Sequence, residues 1–198
     1  MNAPRLLMLR KLFERGTAVA SVTESSRALA EATCRALDPA RPQVVVELGC
    51  GAGAITRVAA SRLHPEGRLV ALEIDPELAR LARDRVPRAD VRVADVADLG
   101  GVLADVDDVD VVLSGLPLPS LPVATVRAVL DWLRTHPGAT FHQLTVMPWV
   151  YRARYQSLFE QVEFELVPWN LPPAGVYHCR TVRVPHDGAE PSHSDAVG

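Results

Sequence analysis

The sequence predicts an α/β fold, a mostly parallel sheet with helices on both faces, and three observations lead to this class. Short apolar runs rich in β-branched residues alternate with helical patterns from residue 43 onward, which is typical of strand–helix–strand units. The first run, Val44–Val46, leads through Glu47 and three alternate glycines into a helical pattern near Ala54. The two closing strands are joined by a short loop over Pro168–Tyr177, so they must be antiparallel.

Each predicted strand is an apolar run bounded by turn residues, and each predicted helix carries apolar residues at helical spacing. Pro76 lies in the first turn of one helix, where proline is well tolerated. We predict seven strands, at Gln43–Leu48, Arg68–Glu73, Val91–Val93, Val109–Ser114, Ala139–Val146, Val162–Val167 and Cys179–Val184. We predict helices at 4–15, Glu24–Leu37, Ala54–Leu63, Pro76–Val86, within Asp95–Leu103, and at Val123–Thr135 and Tyr151–Phe159.

The length and composition bound the organisation of the chain. Its 198 residues suffice for one domain with short additions. We assign residues 1–40 to N-terminal helices, 41–184 to the α/β domain, and 185–198, which are rich in Asp, Gly, Pro and Ser, to a disordered tail.

Charge and cysteine content exclude several classes of protein. A net charge of −3 weighs against a nucleic-acid partner. Three cysteines without a C-x-x-C pair predict neither a disulfide framework nor a zinc site, which fits a reducing cytoplasm. No metal site is predicted, and no apolar run approaches the length of a membrane span.

The glycine-rich turn after the first strand is the strongest functional signal. Glycines at 49, 51 and 53 place the third glycine one position earlier than in a dinucleotide-binding turn. Glu47 would repel a pyrophosphate, but it suits a ligand with a cationic end. S-adenosylmethionine carries an ammonium and a sulfonium and has no phosphate, so it is the predicted cofactor.

Two further acidic residues follow the next two strands. Glu73 can accept hydrogen bonds from ribose hydroxyls, and Asp95 can accept one from an adenine amino group. The predicted cofactor-binding residues are Glu47, Gly49, Cys50, Gly51, Gly53, Glu73, Ile74, Asp95, Val96 and Ser114.

These motifs resemble those of the class I S-adenosylmethionine-dependent methyltransferases. The similarity is carried by ELGCGAG, the strand end ALEID, the loop ADVAD and the antiparallel last strand, and it covers about residues 43–184. The resemblance implies a Rossmann-like, seven-stranded sheet with strand order 3-2-1-4-5-7-6. It does not identify the acceptor of the methyl group.

The end of the fourth strand, Ser114–Leu118 (SGLPL), carries the first clue to the acceptor. Carbonyl oxygens of such a turn can hold an amine and stabilise the positive charge that grows on it. Adenine methyltransferases place a similar Asn–Leu–Pro–Tyr sequence here, but this chain has Leu118 in place of the stacking ring, which disfavours a nucleic-acid substrate. The predicted substrate-binding residues are Ser114, Gly115, Leu116, Pro117 and Tyr177.

A narrower similarity is to the bacterial phospholipid N-methyltransferases. It rests on LRKLFERGTAVASVTESSRALA near the N-terminus, ELGCGAGAIT, SGLPL, and NLPPAGVY at 170–177. It implies methylation of phosphatidylethanolamine towards phosphatidylcholine. The chain departs from that family at residues 145–148, where Thr-Val-Met-Pro replaces an aromatic–glycine pair, which bears on the identity of the headgroup.

Residues 4–15 form a short basic amphipathic helix in this prediction. From the residues alone it either lies on an anionic lipid surface or packs on the domain. The resemblance favours a membrane-surface arm, and with it a cytoplasmic protein held peripherally at the inner face of the membrane. The predicted membrane-binding residues are Arg5, Leu6, Leu9, Arg10, Lys11 and Phe13.

An ammonium must lose a proton before its nitrogen can take a methyl group, so a proton acceptor or a positioning group is expected. Tyr177 and His142 are the candidate catalytic residues, each with a packing role as the alternative. Trp149, Tyr151 and Trp169 either line a cation–π pocket or belong to a core or an interface. Three functions remain open: a lipid N-methyltransferase acting on ethanolamine or ornithine-type lipids, an adenine N6-methyltransferase, and a non-catalytic module.

Overall fold

One seven-stranded sheet organises the domain. The computed structural model describes residues 24–146, 149–167 and 174–184. The strands are β1 (Val44–Leu48), β2 (Arg68–Glu73), β3 (Asp90–Val93), β4 (Val111–Ser114), β5 (Thr140–Thr145), β6 (Phe159–Val167) and β7 (Ala174–Val182). The helices are α1 (Glu24–Thr33), α2 (Ala54–Arg62), α3 (Pro76–Arg85), α4 (Leu99–Val102), α5 (Val123–Arg134) and α6 (Arg152–Leu158), with 3₁₀ turns at Val96–Asp98 and Leu118–Ser120.

The strand order is β3-β2-β1-β4-β5-β7-β6, which confirms the predicted fold. The first five strands are parallel, and β7 is antiparallel to both β5 and β6. The carboxyl ends of β1 to β5 therefore meet at one edge of the sheet, called here the carboxyl edge. Ligands of open parallel sheets bind outside this edge.

Successive side chains of the central strands enter two different cores. Val46 and Leu48 face α4, α5 and α6, where they pack with Trp132 and Phe141. Val45 faces α1, α2 and α3 on the other side. Because both faces are buried, the strands read as continuous apolar runs rather than as alternating ones.

The last strand is where the predicted elements were wrong. β7 begins at Ala174, five residues before the predicted start, so residues 174–177 belong to a strand and not to a loop. A Cβ on Gly175 would lie 2.5 Å from the backbone oxygen of Glu165 and from the ring of Phe164. Gly175 thus permits close pairing of two strands, whereas the sequence suggested a turn.

Three other predictions lie outside the described residues: the helix at 4–15, the first part of the loop at 168–173, and the tail from residue 185. Among the residues that the structure describes, no helix is long and apolar enough to cross a membrane.

Candidate active site at the carboxyl edge

The glycine-rich turn between β1 and α2 is tightly held by the sheet. The N–H groups of Gly49 and Cys50 both donate to the carbonyl of Leu72 at 2.9 Å. Gly49, Gly51 and Gly53 have φ angles of 72°, 53° and 87°, which other residues adopt only with strain. A Cβ on Gly51 would have no heavy atom within 4 Å, so this glycine borders open space.

Glu73 shapes this turn. One oxygen of its carboxylate accepts the N–H of Gly51 at 2.8 Å, and the other accepts the N–H of Asp75 at 3.0 Å. The side chain after it, Ile74, is 58% exposed. Asp95 lies beyond β3 with an exposed side chain that caps the following 3₁₀ turn by accepting the N–H of Ala97. The acidic groups predicted from the strand ends are therefore brought to one edge.

Glu47 is the most unusual group in the domain. Its side chain is completely buried, and neither carboxylate oxygen has a hydrogen-bond partner among the described residues. The buried hydroxyl of Thr56, in the first turn of α2, is likewise without one. Burial raises the pKa of Glu47 to about 7. The hydroxyl and N–H of Thr56, which lie near the carboxylate without meeting hydrogen-bond geometry, oppose this rise in pKa, and the negative charge of Glu73 adds to it. A buried carboxylate without hydrogen bonds is stabilised when a positive charge binds next to it.

The loop after β4 packs directly against the glycine-rich turn. The N–H of Gly115 donates to Leu48, and a Cβ on Gly115 would lie 2.7 Å from the carbonyl oxygen of Gly49. The side chain of Leu116 covers Gly49, where a Cβ would lie 2.3 Å from it. The two glycines thus let the two loops pack backbone against backbone.

Gln143 on β5 holds this loop from beneath, and sequence reasoning missed it. Its buried amide nitrogen lies within hydrogen-bond distance of the carbonyls of Ser114, Leu116 and Leu144, at 3.3, 2.6 and 2.7 Å. Its oxygen is buried with no partner among the described residues. A glutamine inside an apolar strand is a usable signal, since such a side chain must find partners.

Gln143 also changes which carbonyls remain for an amine. Leu116 already accepts from Gln143 and from Leu118, and Pro117 accepts from Ser120 at 2.8 Å. Within Ser114–Leu118, the carbonyl of Gly115 is the one that accepts no hydrogen bond from a described residue. Leu118 is fully buried in the core and therefore offers no surface for a base to stack on.

Tyr177 lies in β7 rather than in a loop, which corrects its predicted setting. Its ring is buried between Tyr155 and Phe164, at centroid distances of 4.6 and 5.0 Å. It lies opposite Gln143 in the register of β5 and β7. Burial raises the pKa of the Tyr177 phenol, and the positive charge of Arg152 opposes the shift. A phenol with a raised pKa is a poor general base.

His142 faces the other side of the sheet, towards α1, in a chain of hydrogen bonds. Its Nδ1 lies 2.6 Å from Nδ1 of His178, and its Nε2 lies 2.8 Å from the hydroxyl of Thr140. Nε2 of His178 lies 3.1 Å from Glu165, which also binds Arg35. Because the carboxylate can only accept, His178 donates from Nε2 and accepts at Nδ1, so His142 donates from Nδ1 and accepts the Thr140 hydroxyl.

This assignment leaves both imidazoles neutral and both nitrogens of His142 occupied. Burial, reinforced by His178, Arg35 and Arg180, lowers the pKa of His142 to about 3. The structure does not bring His142 together with the glycine-rich turn, and its hydrogen bonds serve the packing of the opposite face.

Comparisons with known proteins identify the family. A family model described as a methyltransferase domain matches residues 45–136. An ornithine lipid N-methyltransferase from Singulisphaera acidiphila is 44% identical over 184 residues, covering 89% of this chain and 96% of that protein. The chain belongs to the class I S-adenosylmethionine-dependent methyltransferases.

Two solved structures share the fold of this methyltransferase. A precorrin-6y C5,15-methyltransferase from Geobacter metallireducens is 19% identical with a TM-score of 0.59, covering 78% of this chain and 87% of that one. An O-methyltransferase of tomaymycin synthesis from Streptomyces achromogenes, solved with S-adenosylmethionine, is 16% identical with a TM-score of 0.61, covering 82% and 81%. As a member of its family, this methyltransferase takes S-adenosylmethionine as its cofactor.

The residues present fit that cofactor. The unpaired carboxyl of Glu47 supplies a negative counter-charge for a cation, the open face of Gly51 admits close approach, and Glu73 and exposed Ile74 offer a carboxylate and an apolar surface to a nucleoside. Burial raises the pKa of the Cys50 thiol, so the thiol stays in its neutral form beside the glycine-rich turn.

The first prediction concerns Glu47→Gln. An acid whose folded pKa lies above its unfolded value loses stability as pH rises from about 4.5 to about 7, because only the unfolded chain ionises freely there. The neutral amide escapes this loss. At pH 8 we expect the cofactor-free variant to unfold with about 3 kcal/mol more free energy than the wild type.

Urea unfolding of both proteins at pH 4 and pH 8 measures this difference. Near pH 4 the two should be almost equally stable. A variant that is less stable than the wild type at pH 8 would contradict an unpaired, buried carboxyl at this position.

The second prediction concerns the histidine chain. A base whose folded pKa is depressed contributes stability that is present above the unfolded pKa, near 6.5, and is lost as pH falls below it. For His142 alone this loss is about 1.3 kcal/mol between pH 7 and pH 5.5. His142→Gln does not titrate, so the pH dependence of its unfolding free energy should be shallower by that amount. Equal slopes for the two proteins would overturn the neutral assignment.

Proposed function

We propose that this methyltransferase transfers methyl groups to the amine of an ornithine-type aminolipid. The observation that carries the proposal is the 44% identity to an ornithine lipid N-methyltransferase, which extends over 96% of that protein. This similarity covers 89% of the present chain and therefore extends to the loops after β4 and β5 at the carboxyl edge.

An apolar rim at the carboxyl edge supports an amphiphilic acceptor. It consists of Val146, Trp149, Val150 and Leu166, whose side chains are exposed, Trp149 by 71% and Val150 by 60%. Leu166 reaches the same edge as Thr145 because both pair with Gly175 of β7. Exposed apolar groups beside a site mark a surface for apolar ligands or membranes, and acyl chains would contact this rim.

The same proposal places the protein at a membrane surface on the cytoplasmic side. The basic amphipathic segment 4–15 would bind anionic lipids through Arg5, Arg10 and Lys11 and insert its apolar residues between them. The rim would then face the bilayer, and the carboxyl edge would receive a headgroup without extraction of the lipid.

Transfer requires little more from this chain than binding and orientation. S-adenosylmethionine, when bound, supplies an activated methyl group that an amine lone pair can take directly. The carbonyl of Gly115 would accept a hydrogen bond from the amine and stabilise its growing charge. The amine first gives one proton to water, since both nitrogens of His142 are engaged and the phenol of Tyr177 has a raised pKa. With the cofactor bound, the amine would gain a C–N bond as the C–S bond of the methyl donor breaks, and S-adenosylhomocysteine would leave.

Tyr177, whose ring is fully buried, would then act by position, packing beneath the headgroup site on the strand that pairs with Gln143 rather than touching the acceptor. Phosphatidylethanolamine is the second candidate acceptor, favoured by the resemblance of SGLPL and NLPPAGVY to the phospholipid N-methyltransferases. A base acceptor is disfavoured, because Leu118 lies in the core.

The third prediction is the product of the reaction. Purified protein, S-adenosylmethionine with a deuterated methyl group, and micelles of a neutral detergent containing either ornithine lipid or phosphatidylethanolamine are incubated, and the lipids are analysed by mass spectrometry. We expect ornithine lipid to gain one labelled methyl group per transfer, on the amine fragment.

Preferential labelling of phosphatidylethanolamine would show that this lipid, the second candidate, is the acceptor. Labelling of neither lipid, with the protein folded and the cofactor bound, would overturn lipid methylation altogether.

A further inference from the structure

We infer that Arg152 binds the anionic group of the acceptor's headgroup and thereby presents its amine to the cofactor; this inference rests on the proposed methylation of an aminolipid. Arg152 was not singled out in the sequence, where it follows the predicted pocket residue Tyr151. Its position, its lack of a partner and its neighbours lead to the assignment.

The position of Arg152 is fixed by the loop after β4. The hydroxyl of Tyr151 lies 3.2 Å from that of Ser120, which ties the start of α6 to the end of this loop. The loop begins at Gly115, against the carbonyl of Gly49. It therefore runs from the glycine-rich turn to Arg152, so a headgroup lying along it would have the cofactor at one end and Arg152 at the other.

The charge of Arg152 is unused within the described part of the chain. Its side chain is exposed and has neither an ion pair nor a hydrogen bond with a described residue. Acidic residues outnumber basic ones, 24 to 21, and many arginines have carboxylate partners. These paired arginines are Arg27, Arg35, Arg41, Arg68, Arg80, Arg92 and Arg134. An unpaired guanidinium at the carboxyl edge is free to bind an anion from outside.

The groups next to Arg152 indicate which surface its charge can act on. Arg152 lies near enough to Tyr177 for its positive charge to act on the phenol, and Tyr177 is the register partner of Gln143, which holds the loop after β4. Trp149 and Val150, just before Arg152 in the chain, belong to the apolar rim. A cation next to exposed apolar side chains matches the junction between the acyl chains and the headgroup of an anionic or zwitterionic lipid.

Both candidate acceptors carry an anion a few bonds from their amine. In an ornithine headgroup it is a carboxylate, and in an ethanolamine phospholipid it is a phosphate. The planar fork of arginine can bind either group through two parallel hydrogen bonds. Once Arg152 holds the anion, the amine can reach only positions near Gly115. This restriction lowers the entropic cost of orienting the amine for methyl transfer.

The test compares Arg152→Gln with Arg180→Gln. Arg180 is an exposed arginine of β7 that pairs with Thr140 at the opposite edge of the sheet, and it forms no ion pair with a carboxylate of the described residues. Initial rates are measured in neutral-detergent micelles with ornithine lipid, with its carboxyl methyl ester, and with phosphatidylethanolamine. Cofactor affinity is measured by calorimetry as a control for folding.

We expect Arg152→Gln to lower kcat/KM for ornithine lipid about 10- to 100-fold, the range for loss of a hydrogen-bonded charge. The wild type should prefer the acid to the ester, and the variant should treat them alike. Arg180→Gln should behave as the wild type, and cofactor affinity should stay constant in all three proteins. If phosphatidylethanolamine is the acceptor, the same loss appears with that lipid, and the anion is its phosphate.

Wild-type rates in Arg152→Gln, or an equal loss on acid and ester, would overturn the role of Arg152 while leaving lipid methylation intact. Failure of the wild type on every lipid would instead overturn the proposed function, and the role of Arg152 with it.

Discussion

The buried carboxyl of Glu47 is the constraint on which the site depends. A carboxyl without hydrogen bonds costs free energy in the folded chain, and the domain tolerates it because the surrounding strands and α2 supply the stability. That cost is the usual mark of a group kept for binding. The same group explains why a turn rich in glycine, otherwise suited to phosphates, takes a cationic cofactor here.

A second constraint joins the cofactor to the acceptor. The glycine-rich turn and the loop after β4 meet at Gly49 and Gly115, where a Cβ on either residue would collide with the other loop. Gln143 fixes the second loop by binding two of its carbonyls. The glycine-rich turn and the loop after β4 are therefore packed together as one unit. Methyl transfer at this unit depends on orientation of the amine more than on an acid or a base.

The sequence was sufficient for the fold, for the identity of the cofactor, and for the placement of acidic residues at one edge of the sheet. Buried parallel strands have a simple apolar signature, and acidic residues at successive strand ends must converge at one edge, as Glu73 and Asp95 do. The acceptor side of the site was harder to predict from the sequence. Residues 174–177 look like a turn because they follow two prolines and contain a glycine, yet Gly175 is required by the ring of Phe164. Gln143 and His142 stand out as polar residues in an apolar strand, but Gln143 binds Ser114 and His142 binds His178, which are far away in the sequence, so no local pattern identifies these partners.

The measurement that bears most directly on Glu47 is the proton exchanged when S-adenosylmethionine binds, obtained by calorimetry in buffers of different ionisation enthalpy. If the cation of the cofactor draws Glu47 into its ionised form, the wild type releases up to about one proton more than Glu47→Gln near pH 6, and the difference vanishes near pH 9. The cofactor's own amine contributes equally to both proteins. Identical proton release by the two proteins across this range would contradict the role assigned to Glu47.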